Sequence, residues 1–152
     1  MRQLPVGGQK GFFGMNLVKD SDNIIVLTEG EFDAMAVYQQ TGLPALSLPQ
    51  GASNLSEGFL PYLSRFEKIV LWMDNDEAGT LNISKMVEKL GVNRTAVVRH
   101  SFPNLKDAND FLLSAPEEIP KLIHHAKTIP DSSLLNFNAL REAIFSRISK
   151  TE

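Results

Sequence analysis

Apolar residues along the chain fall into short unbroken runs separated by helix-like periods. Residues 24–27 (IIVL) are continuous and mostly β-branched, the pattern of a strand buried on both faces of a parallel sheet. From Glu31 to Gln40 the apolar positions Phe32, Met35, Ala36 and Val37 recur at helical spacing, and Gly42 with Pro44 supplies the stop. The same grammar then repeats. LPALSL (43–48) predicts a second strand, and EGFLPYLSRF (57–66) a short helix with Pro61 near its first turn, where proline is tolerated. KIVLWM (68–73) predicts a third strand, followed by a helix with Leu81, Met86, Val87 and Leu90 on one face and Gly91 at its end. RTAVVRH (94–100) predicts a fourth strand, and DANDFLL (107–113) opens a further helix. PEEIPKLIHHAK (116–127) reads as another, started by Pro116 with Glu117 and Glu118 in its first turn. Met35, Met73 and Met86 are most simply core.

Strands alternating with helices across short loops imply an α/β fold, with a mostly parallel sheet of about four strands, helices on both faces and right-handed crossovers. The 152 residues suit one domain with a short appendage. After Pro130, FNALREAIFSRISK (137–150) forms a separate amphipathic helix with no place in that sheet, its apolar side carrying Leu140, Ile144 and Ile148. The opening, with Pro5, Gly7 and Gly8 before a short apolar patch, reads as the interior of a longer protein.

Composition narrows the chemistry by exclusion. With no cysteine there is no disulfide framework, thiolate zinc site or cysteine nucleophile. A formal charge of −3 gives no global attraction to a polyanion, so nucleic-acid contact needs local basic groups or bridging metal ions. Lys10, Arg99 and Lys106 are the best basic candidates. No stretch approaches the ~20 apolar residues of a membrane-spanning helix, so no membrane partner is expected. There is no Walker A motif. The adjacent His124 and His125 point to different helical faces and read as solvated helix residues, and His100 beside Arg99 as a strand-end polar pair.

The acids are the informative residues. In open parallel sheets ligands bind beyond the carboxyl ends of the strands. Glu29 follows the first predicted strand, Asp74 and Asp76 the third, and Asp107 lies in the loop after the fourth. Carboxylates from distant parts of the sequence are thus brought to one rim, where they repel unless a cation neutralises them. A hard divalent ion such as Mg2+ or Mn2+, taking oxygen ligands, is the natural solution. Four of the acids also have a plainer reading, Glu31 and Asp33 suiting the first turn of a helix and Asp76 and Asp107 suiting N-caps, whereas Glu29 and Asp74 directly follow apolar strands and stand in no obvious capping position. The combination of EGxxD after one buried strand and DxDxAG after another carries the metal reading.

These two motifs resemble those of the TOPRIM domain, the metal-binding module of bacterial-type primases, type IA and II topoisomerases and some nucleases. Glu29, Gly30 and Asp33 look like its glutamate motif, and Asp74 to Gly79 like its DxD motif in the primase version. Lys106, Asp107, Ala108 and Asn109 are similar to the third acidic motif of phage-type primase-helicases. Thr80 departs from the pattern, since many primases place a basic residue there. Within the group, the run from Thr41 to Trp72 resembles the Twinkle family of mitochondrial replicative helicases, as does the predicted helix 137–150, where that family's linker to a helicase ring begins.

The resemblance implies a Rossmann-like TOPRIM fold over residues 21–128, preceded by the end of a primase-like segment (1–20) and followed by a linker and helix (129–152). It implies Mg2+ held by Glu29, Asp74 and Asp76, with Asp107, Glu31 and Asp33 supporting a second ion or its water shell. The implied work is primer synthesis by metal-assisted nucleotidyl transfer, with DNA template and nucleotides as partners and other subunits of a ring docked through the C-terminal helix. Two alternatives stand beside it: a non-catalytic scaffold or DNA-binding module of a replicative helicase, and a TOPRIM metal-dependent nuclease. The implied location is the mitochondrial matrix, at the nucleoid, or otherwise a phage-infected or bacterial cytoplasm.

Overall fold

The computed structural model describes residues 11–49, 55–74 and 77–128. Lys10, Asp76, the side chain of Leu81 and the predicted helix 137–150 lie outside the described residues. The first apolar run becomes β1 (Ile24–Thr28), which leads into α1 (Glu31–Thr41). Gly42, at φ 68°, ends that helix in the left-handed conformation and donates its N–H to Tyr38 O. Then come β2 (Ala45–Ser47), a 3-10 turn running into α2 (Leu60–Leu63), and β3 (Lys68–Trp72). The chain continues through α3 (Glu77–Leu90), β4 (Thr95–Val97), α4 (Ala108–Ser114), α5 (Glu118–His124) and β5 (Lys127–Thr128).

The sheet order is β2-β1-β3-β4-β5, with the first four strands mutually parallel and β5 antiparallel on the outer edge of β4. Val26 of β1 faces Ala45 on one side and Val70 on the other. After β1 the chain steps outward to β2, then crosses back to β3 on the other side. The crevice between the carboxyl ends of β1 and β3 is therefore the topological switch point, where such sheets bind ligands.

Pleat alternation splits the core in two. Ile25, Leu27, Ile69, Leu71 and Met73 pack on one face with Leu63, Phe66, Ile83, Met86 and Leu90 of the α2 and α3 region. Val26, Val70 and Trp72 pack on the other with Ala34, Ala36, Val37, Ala108, Phe111, Ile119 and Ile123 from α1, α4 and α5. Each large aliphatic side chain so enclosed contributes roughly 1.5–3 kcal/mol relative to exposure.

Several expectations need correction. In α1 the buried stripe is Asp33, Ala34, Ala36 and Val37, whereas Phe32 is 71% and Met35 51% exposed. The helix is turned relative to its apolar pattern, with Asp33 on the inward face, where its carboxylate accepts two backbone N–H groups. Met35 is accordingly not core, while Met73 and Met86 are. The predicted helix over 57–66 is a 3-10 turn plus one α-helical turn, with Pro61 in the first turn. The fourth strand is shorter than 94–100, although Val98 N–H still donates to Leu71 O at 2.9 Å. The helix over 116–127 contracts to Glu118–His124, and the sheet gains a fifth strand of two exposed residues, too short to leave a hydrophobic pattern.

Candidate metal centre

Three carboxylates meet at the switch point. Oxygen atoms of Asp33, Asp74 and Asp107 all lie within 4.8 Å of one another. Each arrives from a different element: Asp33 from the first turn of α1, Asp74 two residues past β3, and Asp107 as the N-cap of α4. Trp72 faces the α1 and α4 side of the sheet, and the pleat predicts the same side for Asp74, two residues on.

Asp33 is the buried member, at 8% exposure. Its Oδ1 accepts the Asn109 N–H at 3.0 Å and its Oδ2 accepts the Gly30 N–H at 3.2 Å. One carboxylate thus ties the start of α1 to the start of α4, and each oxygen keeps a lone pair for a further partner. Burial pushes the Asp33 carboxyl up to about 6, the Asp107 negative charge adds to this, and the two backbone N–H groups pull the other way. A Cβ at Gly30 would sit 2.9 Å from Asp33 Oδ2, so a side chain there would displace that carboxylate. Asp107 Oδ1 meanwhile caps α4 by accepting the Asp110 N–H at 2.7 Å. The capping and metal readings of Asp33 and Asp107 are therefore compatible, because one oxygen pair serves the backbone and still faces the cluster.

Glu29 is half-buried just after β1 and is not a member of this three-carboxylate group; Glu31 is exposed on the first turn of α1. Arg99 and Lys106 are exposed in the loop between β4 and α4, and the Lys106 N–H donates to Asp110 Oδ2 at 2.9 Å. His100 forms no polar pair: among the described residues its ring nitrogens are enclosed and without a hydrogen-bond partner, and burial lowers its pKa. Its ring packs instead against Phe111, centroids 4.7 Å apart. Sequence reasoning missed this aromatic role, for which the neighbouring Phe102 was the available signal. No helix of the described residues is long and apolar enough to cross a membrane.

A doubly wound α/β sheet with a rim of clustered aspartates at its switch point defines a class of domain that binds an oxygen-liganded cation, and the donor set here fits such an ion. Family comparison agrees with the fold: the Toprim-like family model matches residues 26–112, and the chain belongs to that family. It is 35% identical over 91 residues to the DNA helicase/primase of Enterobacteria phage T3, covering 57% of this chain and 16% of that protein. It is 24% identical over 161 residues to the chloroplastic/mitochondrial Twinkle homolog of Arabidopsis thaliana, covering 91% of this chain and 23% of that one. A similar solved structure shows the bacteriophage T7 lagging-strand DNA polymerase interacting with primase domains bound to an RNA/DNA hybrid and dTTP. The match has a TM-score of 0.69 and 30% identity, covering 79% of this chain and 62% of the other. The chain thus spans less than a quarter of the length of these two relatives.

Proposed function

We propose that this chain is the metal-binding part of a replicative primase-helicase and that its carboxylates serve Mg2+- or Mn2+-dependent nucleotidyl transfer in primer synthesis. The observation that carries the reading is the convergence of Asp33, Asp74 and Asp107 from three elements to within 4.8 Å at the switch point. Those three residues would hold the ion, and Glu29 and Asp76 remain candidate ligands on the strength of the sequence motifs. A bound divalent ion supplies charge stabilisation to a transferring phosphoryl group. The chain's own contribution is positional. Asp33, fixed by the Gly30 and Asn109 N–H groups, sets the distance between α1 and α4, and Arg99 and Lys106 offer exposed cations beside the rim for nucleic-acid phosphates. On the resemblance of its sequence to the Twinkle family we also propose a mitochondrial location for the parent protein, with a phage-infected or bacterial cytoplasm as the alternative; imaging of the tagged full-length protein tests it.

Titration with Mn2+ examines the centre directly. Binding by the wild-type protein, weakened in Asp33→Ala, Asp74→Ala and Asp107→Ala alike, is the expected result; absence of binding at millimolar Mn2+ would defeat the reading. A second reading is a non-catalytic module of a helicase, and it is favoured by the backbone duties of Asp33 and Asp107, each of which already holds a helix start. Full-length protein that unwinds DNA but makes no template-directed oligonucleotides would select it.

A further inference from the structure

The loop joining β4 to α4 runs from Val98 to Asp107 and carries Phe102 at its middle, 39% exposed. Phe102 is held from below. Its ring meets Phe111 edge to face at 5.3 Å and His100 at 6.2 Å, and Phe111 in turn meets Trp72 at 5.6 Å. Phe111 itself is fully buried, and its N–H donates to Asp107 O at 3.3 Å, so the aromatic stack stands one helical turn from a member of the carboxylate cluster. His100, with both ring nitrogens enclosed and unpartnered among the described residues, acts here as an aromatic prop. A partly exposed ring packed on buried aromatics, in a loop that also carries exposed Arg99 and Lys106, matches the way unpaired bases are gripped: stacking on the ring and cations for the phosphates.

We infer that Phe102 is a stacking platform for the base of a nucleotide whose phosphates lie at the Asp33, Asp74 and Asp107 cluster. This inference rests on the metal reading above and adds a base subsite to it. Stacking is tolerant of base identity, so the platform contributes affinity without selecting among nucleotides.

The test compares MnATP with Mn-tripolyphosphate, which has the phosphates but no base, on wild-type protein, Phe102→Leu and Phe102→Tyr. Leucine keeps apolar bulk against Phe111; tyrosine keeps the ring. Phe102→Leu is expected to weaken MnATP about tenfold, leave Mn-tripolyphosphate and Mn2+ alone unchanged, and be rescued by Phe102→Tyr. Unchanged emission from the single Trp72 checks that the aromatic packing persists. Equal MnATP binding by wild type and Phe102→Leu, or parallel loss of both ligands, would overturn the inference while intact Mn2+ binding leaves the metal reading standing. Failure of the wild type to bind Mn2+ would remove the metal reading and this inference together. A loss confined to oligothymidylate, with MnATP unaffected, would overturn the assignment to a bound nucleotide.

Discussion

The two ends of the sheet handle charge in opposite ways. At the end where β3 and β4 begin, half-buried Arg94 donates from Nε to Leu90 O at 2.6 Å and from one terminal nitrogen to Leu63 O at 2.9 Å and Phe66 O at 3.0 Å. Leu63 and Leu90 close α2 and α3, whose last carbonyls lack intrahelical donors and carry partial negative charge. One cation therefore satisfies two helix ends. At the end where β1 and β3 finish, carboxylates of the same sign are gathered within 4.8 Å and one of them is pushed up to about 6. The first arrangement completes the fold. The second costs the fold stability, a cost that the proposed bound cation would offset.

Of the three rim acids, Asp33 and Asp107 also hold helix starts, so the contrast is sharpest at Asp74. In the full-length protein, Asp74→Ala is expected to lower template-directed synthesis about a thousandfold, close to 4 kcal/mol at the transition state, with little change in Tm. Comparable loss of Tm would show Asp74 to be structural and erase the contrast. Arg94→Ala should do the reverse. Losing three charge-assisted hydrogen bonds from a half-buried guanidinium should cost about 2–3 kcal/mol of stability, measured by urea unfolding, with Mn2+ affinity unchanged in the folded protein. Gly30→Ala sits between these outcomes. Its methyl would press on Asp33 Oδ2, so Mn2+ affinity should fall about tenfold while stability falls by about 1 kcal/mol. Unaltered Mn2+ binding in Gly30→Ala would mean that the Asp33 carboxylate need not be held where the Gly30 N–H holds it.

Much of this contrast was legible from the sequence, and the rest was hidden for identifiable reasons. IIVL and KIVLW announce buried parallel strands because both their faces are covered, and Asp107 before ANDFLL announces a helix start. The rim acids were visible from their positions after strands. By sequence Asp33 is only an accessory to the centre, yet of the three clustered acids it is the most buried. Nothing in the local pattern shows that Asn109, 76 residues away, donates to Asp33 on the inward face of α1, while Phe32 and Met35 lie exposed. By sequence Arg94 is merely the first residue of a strand, since its carbonyl partners at Leu63 and Phe66 are about 30 positions earlier and come close only after the crossover forms. Long-range pairing of single polar groups leaves no periodicity, so it is invisible to pattern reading.

The smallest effect concerns the rim alone and follows from the titration of Asp33. Its carboxyl moves from 3.8 to about 6 on folding, so at intermediate pH the folded state holds a proton that the unfolded chain has released. The resulting stability is full below 3.8 and is lost as pH rises through about 6. With EDTA present, the urea midpoint of the wild type should therefore decline between about pH 4 and about pH 7, and Asp33→Asn, which has no proton to lose, should show a flatter profile. Mn2+ should invert the wild-type slope, because the ion binds the ionised form and its stabilisation grows as that form becomes available. No comparable slope is expected from the Arg94 end, where the guanidinium stays charged throughout. A wild-type profile in EDTA that matches Asp33→Asn would mean that the cluster's shared charge is not borne by Asp33, and the asymmetry between the two ends would then rest on Asp74 and Asp107 alone.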